Sequence, residues 1–237
     1  MGKNWNPLRS IIKKKLLRVI IKTALVSLLL FAIFVCLMPE TYDYTYGYFL
    51  FHRIGKNLTV NMTSDFDKAV NVAFWVFDHI KQFDHPQQAR FMPVIDDNFL
   101  NIYRRGFGYC DQGAHVYATM MHWLGFESKL LMLRKEDGVS PHTVAVVKVN
   151  GKFMVVDTSY KFIFADDKKK PVGIDELEGS EIFDEYLKVV KAANIVLKIK
   201  EPVEIKPSYF RNGTYFETFP YCSWRHTFKK VIQKLIH

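Results

Sequence analysis

Residues 106–125 have the sequence Gly106-Phe-Gly-Tyr-Cys110-Asp-Gln-Gly-Ala-His-Val-Tyr-Ala-Thr-Met-Met-His-Trp-Leu-Gly125, which predicts a loop followed by a helix. The glycines at its start allow the backbone to turn sharply. Apolar residues from Ala114 onward recur near the helical period, and Gly125 suits the left-handed position that ends many helices. The pattern therefore predicts that Cys110 lies at the junction between the loop and the helix.

A cysteine at a helix start is a candidate nucleophile. Unpaired backbone N–H groups and the helix dipole favour negative charge there, so they favour the reactive thiolate. The N–H of Cys110 would also suit the oxyanion of an acyl-transfer reaction, and Gln112 is a candidate second donor. A single cysteine in this position is, however, more often a small core residue. The choice depends on which side chains the later chain brings to Cys110.

A β-hairpin is predicted over residues 142–158, because Asn150-Gly151 separates two apolar runs. Both runs are apolar on both faces, which is typical of a buried sheet. With a two-residue loop Val149 pairs with Lys152, and counting along both strands places Asp157 diagonally across from His142 on the same face. A register shift of one residue would place them on opposite faces.

These residues together predict a Cys-His-Asp catalytic triad. The carboxylate of Asp157 would orient one imidazole nitrogen of His142, leaving the other nitrogen for the thiol of Cys110. Each residue also has a purely structural interpretation: a core cysteine, a hydrogen-bonded histidine and a turn-forming aspartate. The order of the three and the hairpin geometry favour the catalytic interpretation.

Three motifs resemble the transglutaminase-like superfamily. They are Gly108-Tyr-Cys110-Asp-Gln-Gly-Ala114, Trp123-Leu-Gly125-Phe, and the hairpin from His142 to Asp157-Thr158. The resemblance covers about residues 100–160. It departs from the family pattern at Val144, where an aromatic residue is usual, and at residues 126–129, where arginine and proline are usual.

The resemblance implies an α+β, papain-like fold in which the cysteine helix packs on an antiparallel sheet. It implies that Cys110 is the nucleophile, that His142 acts as base and then acid, and that Asp157 orients the histidine. The family chemistry is acyl transfer from an amide through a thioester, with water or an amine as acceptor.

The N-terminal region predicts a membrane anchor. Residues 1–15 form a basic tail, and residues 16–38 form an apolar run interrupted only near its start. We expect an uncleaved, single-pass signal anchor with a cytoplasmic N-terminus and an extracytoplasmic domain, on the periplasmic side if the source is bacterial. A cleaved signal peptide is the alternative, although no small-x-small cleavage site follows the run.

The net charge of +9 belongs mainly to this tail. Seven of the basic residues precede residue 23, and without them 26 basic residues (33 − 7) face 24 acidic ones. The main domain is therefore not expected to bind nucleic acid.

The remaining chain predicts one α+β domain over residues 64–222. An aromatic juxtamembrane segment (39–63) precedes it, and an amphipathic basic helix (223–237) follows it. Within the domain, Ser64 is predicted to cap a helix over 65–83. A strand over 129–134, a helix over 181–192 and a strand over 194–199 complete the expected elements.

Neither a metal nor a cofactor is predicted. His115 and His122 lie seven residues apart on one helix, too far to share an ion without other ligands, and no Cys-x-x-Cys spacing occurs. A disulfide between Cys110 and Cys222 is an alternative that would make Cys110 structural.

Two classes of function remain. The first is a membrane-anchored cysteine enzyme acting on a peptide or amide substrate. The second is a non-catalytic accessory subunit that docks on a membrane-embedded synthase or transport complex. Selective reactivity of Cys110 would discriminate between them.

Overall fold

The computed structural model describes residues 7–82, 98–196 and 204–217. The chain divides into two compact units with a boundary between Tyr44 and Thr45. Helix α1 (Pro7–Thr59) contributes to both units. The predicted helix over 223–237 lies outside the described residues.

The first unit contains the apolar part of α1. Its segment Lys14–Phe34 is long and apolar enough to cross a membrane, and its side chains are exposed. By length and composition this segment fits an anchor or a signal sequence. The predicted direction of insertion remains a prediction.

The second unit is built around a sheet of five strands within the described residues. These are β3 (Ser128–Met132), β4 (Thr143–Val149), β5 (Lys152–Asp157), β6 (Phe162–Ile163) and β7 (Thr214–Glu217). They are ordered β6-β5-β4-β3-β7, and every neighbouring pair is antiparallel. Strand β4 lies at the centre and is almost entirely buried, as its apolar pattern predicts.

The helices of this unit include α2 (Asp65–His79), α3 (Phe99–Arg105), α4 (Cys110–Trp123), α5 (Glu181–Val196) and α6 (Pro207–Arg211). Helix α4 lies against β3 and β4. Ser128 of β3 fixes this contact by donating a hydrogen bond of 2.6 Å to the carbonyl of Ala118. The predicted α+β class, with the cysteine helix packed on an antiparallel sheet, is confirmed.

The end of helix α2 differs from the prediction. Ser64 caps the helix as predicted, accepting a hydrogen bond from the N–H of Asp67. The helix ends at His79 instead of continuing to residue 83, because Ile80 is extended and buried. The next two residues form β1 (Lys81–Gln82), which pairs in parallel with β2 (Phe107–Gly108). Strand pairing with the loop before Cys110 therefore replaces the last predicted helical turn.

The predicted strand over 194–199 is wrong at its start. Residues 194–196 continue helix α5, and residues 197–199 lie outside the described residues. The buried residues Tyr186, Val190 and Asn194 recur every four positions, so helical packing continues across the β-branched residues.

The part of α1 within the second unit packs on the domain. Phe51 is buried. Its ring packs edge-on against Phe99 and tilted against Trp123, with ring centroids 5.6 and 6.1 Å apart. Gly47 and Gly55 lie one turn before and one turn after Phe51 on the same face, where a Cβ would press on Phe99 and Leu124. The glycines therefore permit close approach. The assignment of 39–63 to a juxtamembrane segment remains a prediction.

Candidate active site

Cys110 begins helix α4, as the loop-to-helix pattern predicts. Tyr109 before it is extended, and the N–H of Gly113 closes the first turn on the Tyr109 carbonyl at 3.0 Å. Cys110 is a free cysteine and is partly exposed. Cys222, its partner in the alternative disulfide, lies outside the described residues, so that alternative remains a prediction.

The loop before Cys110 is held by Gln112. The side-chain oxygen of Gln112 accepts hydrogen bonds from the N–H of Tyr109 at 3.2 Å and from Nη2 of Arg105 at 3.0 Å. Arg105 also donates from Nε to the carbonyl of Phe107. This network gives Gln112 a role in shaping the loop, and the suggestion that it is an oxyanion donor remains a prediction.

The hairpin has the predicted register. Asn150 and Gly151 both have positive φ, 51° and 83°, as a tight two-residue turn requires. Val149 pairs with Lys152 and Ala145 with Val156. The register deduced from Asn150-Gly151 is confirmed.

The contact between His142 and Asp157 follows from this register. Nε2 of His142 lies 2.7 Å from Oδ2 of Asp157, and both residues are almost fully buried, with 3% and 1% exposure. The carboxylate can only accept, so Nε2–H donates. Nδ1 of the imidazole is therefore left for another partner.

Cys110 interacts with the His142 side chain. Its charge and its hydrogen bonding both raise the pKa of the imidazole. The structure thus brings together the three side chains that the sequence singled out. They come from three elements: the start of α4, the residue before β4 and the end of β5.

The charges of the site are coupled. Burial is the largest single influence on His142 and lowers its pKa, but the negative charges of Asp157 and Cys110 and the hydrogen bonds with them outweigh it. The pKa of His142 therefore lies well above its usual value. Burial likewise raises the pKa of Asp157, but the charge of His142 and several hydrogen bonds outweigh it, so this pKa is lowered. The imidazolium–carboxylate pair is the favoured state.

Asp157 is held by four hydrogen bonds. Oδ1 accepts from the N–H groups of Ser159 and Tyr160, at 2.9 and 3.3 Å. Oδ2 accepts from His142 and from the hydroxyl of Tyr186, both at 2.7 Å. The sequence prediction included the helix that carries Tyr186 but not this contact. The signal was missing because residues 157 and 186 are brought together only by the fold.

In the described part of the chain, no group of three His, Cys, Asp or Glu side chains could hold a metal ion. His115 is half-buried and His122 is exposed on α4.

Comparisons with known proteins give partial structural matches. A candidate cysteine protease from Cytophaga hutchinsonii matches at a TM-score of 0.38 with 8% identity, over 47% of this chain and 37% of its own. A TGase matches at 0.38 with 18% identity, over 48% and 32%. A candidate protease from Parabacteroides distasonis matches at 0.38 with 14% identity, over 52% and 26%. The chain therefore spans between 26% and 37% of the length of these structures.

No family model matches the chain, and no curated protein matches it.

Proposed function

We propose that this protein is a membrane-anchored, extracytoplasmic cysteine enzyme that transfers the acyl group of a peptide or amide through a thioester on Cys110. One observation carries the proposal: a buried imidazole contacts a carboxylate through Nε2 and interacts with the side chain of a partly exposed cysteine. A purely structural cysteine in an apolar core would have no use for this buried charged pair, which costs free energy to desolvate.

In the first half-reaction, the Cys110 thiolate attacks the carbonyl carbon of the substrate and forms a carbon–sulfur bond. The oxyanion that develops would be stabilised by the backbone N–H of Cys110 in the first turn of α4. His142 then gives its proton to the departing nitrogen as the carbon–nitrogen bond breaks. An amine leaves, and the acyl group remains on sulfur.

In the second half-reaction, neutral His142 removes a proton from water or from an acceptor amine. The nucleophile attacks the thioester, the carbon–sulfur bond breaks, and the thiolate and the imidazolium are restored. Asp157 keeps its charge throughout and holds Nε2–H of His142, so that Nδ1 exchanges the proton.

The test is the pH dependence of Cys110 alkylation by iodoacetamide. The full chain is used in detergent with Cys36→Ser and Cys222→Ser, so that Cys110 is the one remaining thiol. We expect rapid alkylation at pH values well below ~8.5, where an ordinary thiol is protonated. His142→Ala should remove this reactivity at low pH.

His122→Ala is the matched control, because His122 is an exposed histidine on the same helix. It should leave the profile unchanged. Slow alkylation of Cys110 that is the same with and without His142 would overturn the proposal and favour the accessory-subunit hypothesis.

A further inference from the structure

Tyr186 is a buried titratable residue that the reaction above does not use. It lies in α5 with no exposed surface, 29 positions along the chain from Asp157. Its hydroxyl donates a hydrogen bond of 2.7 Å to Oδ2 of Asp157. This is the same oxygen that accepts Nε2–H of His142, also at 2.7 Å.

The two donors act on a carboxylate that cannot rotate away. The backbone N–H groups of Ser159 and Tyr160 hold Oδ1, so Oδ2 is the oxygen that faces both His142 and Tyr186. A donor on Oδ2 draws negative charge from the atom that attracts the imidazolium. The hydroxyl of Tyr186 therefore competes with His142 for the same lone-pair density.

The hydroxyl is available as a donor across the working pH range. Burial first, and then the negative charge of Asp157, raise the pKa of Tyr186 well above its usual value. The phenol therefore stays protonated and keeps donating to Asp157.

The ring and the hydroxyl of Tyr186 have separable roles. The ring packs among aromatic residues of the core, with centroids 4.8 Å from Phe164 and 6.0 Å from Phe183. Replacing the residue by phenylalanine keeps this packing and removes only the hydrogen bond. The chemical role of the hydroxyl can therefore be tested in a folded protein.

We propose that Tyr186 is a positioning residue that acts through Asp157, holding the carboxylate against His142 and limiting how strongly it binds the proton of the imidazolium. The inference rests on the proposed function. Its consequence is that His142 gives its proton more readily to the departing amine than it would against an unshared carboxylate.

The experiment measures the pH dependence of Cys110 alkylation and the NMR titration of the labelled His142 imidazole. Both are made on the full chain with Cys36→Ser and Cys222→Ser. In Tyr186→Phe the deprotonation of the His142 imidazolium should move to higher pH by ~0.5 pH unit, because Oδ2 of Asp157 then accepts a side-chain hydrogen bond from His142 only.

Tyr117→Phe is the matched control. Tyr117 is also fully buried, and its hydroxyl donates to the carbonyl of Ala69 at 3.3 Å, away from Asp157. It should leave the titration of His142 unchanged. Suppose that alkylation of Cys110 in the wild type depends on His142. If His142 in Tyr186→Phe is then deprotonated at the same pH as in the wild type, or at a lower pH, the inference about Tyr186 is overturned and the proposed function is not. A wild type with no dependence on His142 would instead overturn the proposed function.

A second variant keeps the hydrogen bond to Asp157 and should shift the deprotonation of His142 in the opposite direction. Fluorinated tyrosine placed at position 186 has a more acidic hydroxyl and is a stronger donor to Asp157. The deprotonation of His142 should then move to lower pH. A shift in the same direction as in Tyr186→Phe would contradict the proposal, and this variant remains informative if Tyr186→Phe does not fold.

Discussion

The two sides of the site differ in exposure and in how they are built. His142 and Asp157 lie almost entirely buried on one hairpin, whereas Cys110 begins a helix and is partly exposed. Burial lets the protein control the charge of the histidine, because water screens little there. Exposure of the cysteine leaves it accessible to a substrate. The difference indicates that the hairpin supplies a fixed electrostatic setting and that the helix start supplies the reacting atom.

The largest expected effect comes from removing the buried charge on the hairpin side. Asp157→Ala leaves His142 and the Tyr186 hydroxyl without their acceptor, and breaking a buried pair in this way costs ~3–5 kcal/mol. Chemical denaturation should show this loss in the free energy of unfolding. The exposed Asp167→Ala is the control and should change stability little. A loss no greater than that of the control would show that the pair contributes nothing to the hairpin.

A smaller effect is expected on the helical side of the domain. Gly47→Leu places a side chain against the ring of Phe99, and overpacking of this kind costs ~1–3 kcal/mol. Thermal unfolding of the domain should show a lower midpoint. Phe49→Leu, at an exposed position of the same helix, should be nearly neutral. Equal midpoints for the two variants would mean that α1 does not pack on the domain at Gly47.

A still smaller effect tests the turn that sets the register. Gly151→Ala forces a Cβ into a conformation with φ of 83°, at a cost of ~1 kcal/mol. Denaturant unfolding measures this loss. No atom lies within 4 Å of the added Cβ, so a clash does not contribute. Stabilisation by this substitution would contradict the left-handed turn.

The pH dependence of stability sharpens the comparison further. Because the pKa of His142 is raised, its stabilising contribution is complete below the ordinary histidine pKa, ~6.5, and is lost as pH rises through the raised value. Because the pKa of Asp157 is lowered, its contribution is complete above ~3.9 and is lost as pH falls through the lowered value. Thermal unfolding measured across pH should therefore show that the stability advantage of the wild type over His142→Gln is smallest at high pH. Above pH ~6.5, a difference in stability that grows with rising pH would contradict the raised pKa of His142.

The hairpin could be predicted because its information is local. Asn150-Gly151 fixes the turn, the turn fixes the register, and the register places His142 beside Asp157. The helix start at Cys110 was predictable for the same reason. Their meeting was not a consequence of any local pattern, and the motif resemblance supplied that expectation.

Other features depend on distant parts of the chain. Helix α2 ends at His79 because the next residues pair with Phe107 and Gly108. Helix α5 continues through Asn194 because that residue joins a buried stripe. The Tyr186 hydroxyl meets Asp157 only when α5 lies against the sheet. Sequence periodicity contains none of these pairings.

The most direct test of the acyl-transfer centre is intact-mass analysis during reaction with p-nitrophenyl acetate, an activated acyl donor. The full chain with Cys36→Ser and Cys222→Ser should gain one acetyl group on Cys110 and then lose it while p-nitrophenol continues to form. In His142→Ala both steps should slow by a factor of ~10² or more, because the base and the acid are missing. Failure to acylate Cys110, or an acetyl group that persists equally in both proteins, would contradict the catalytic role of the three side chains.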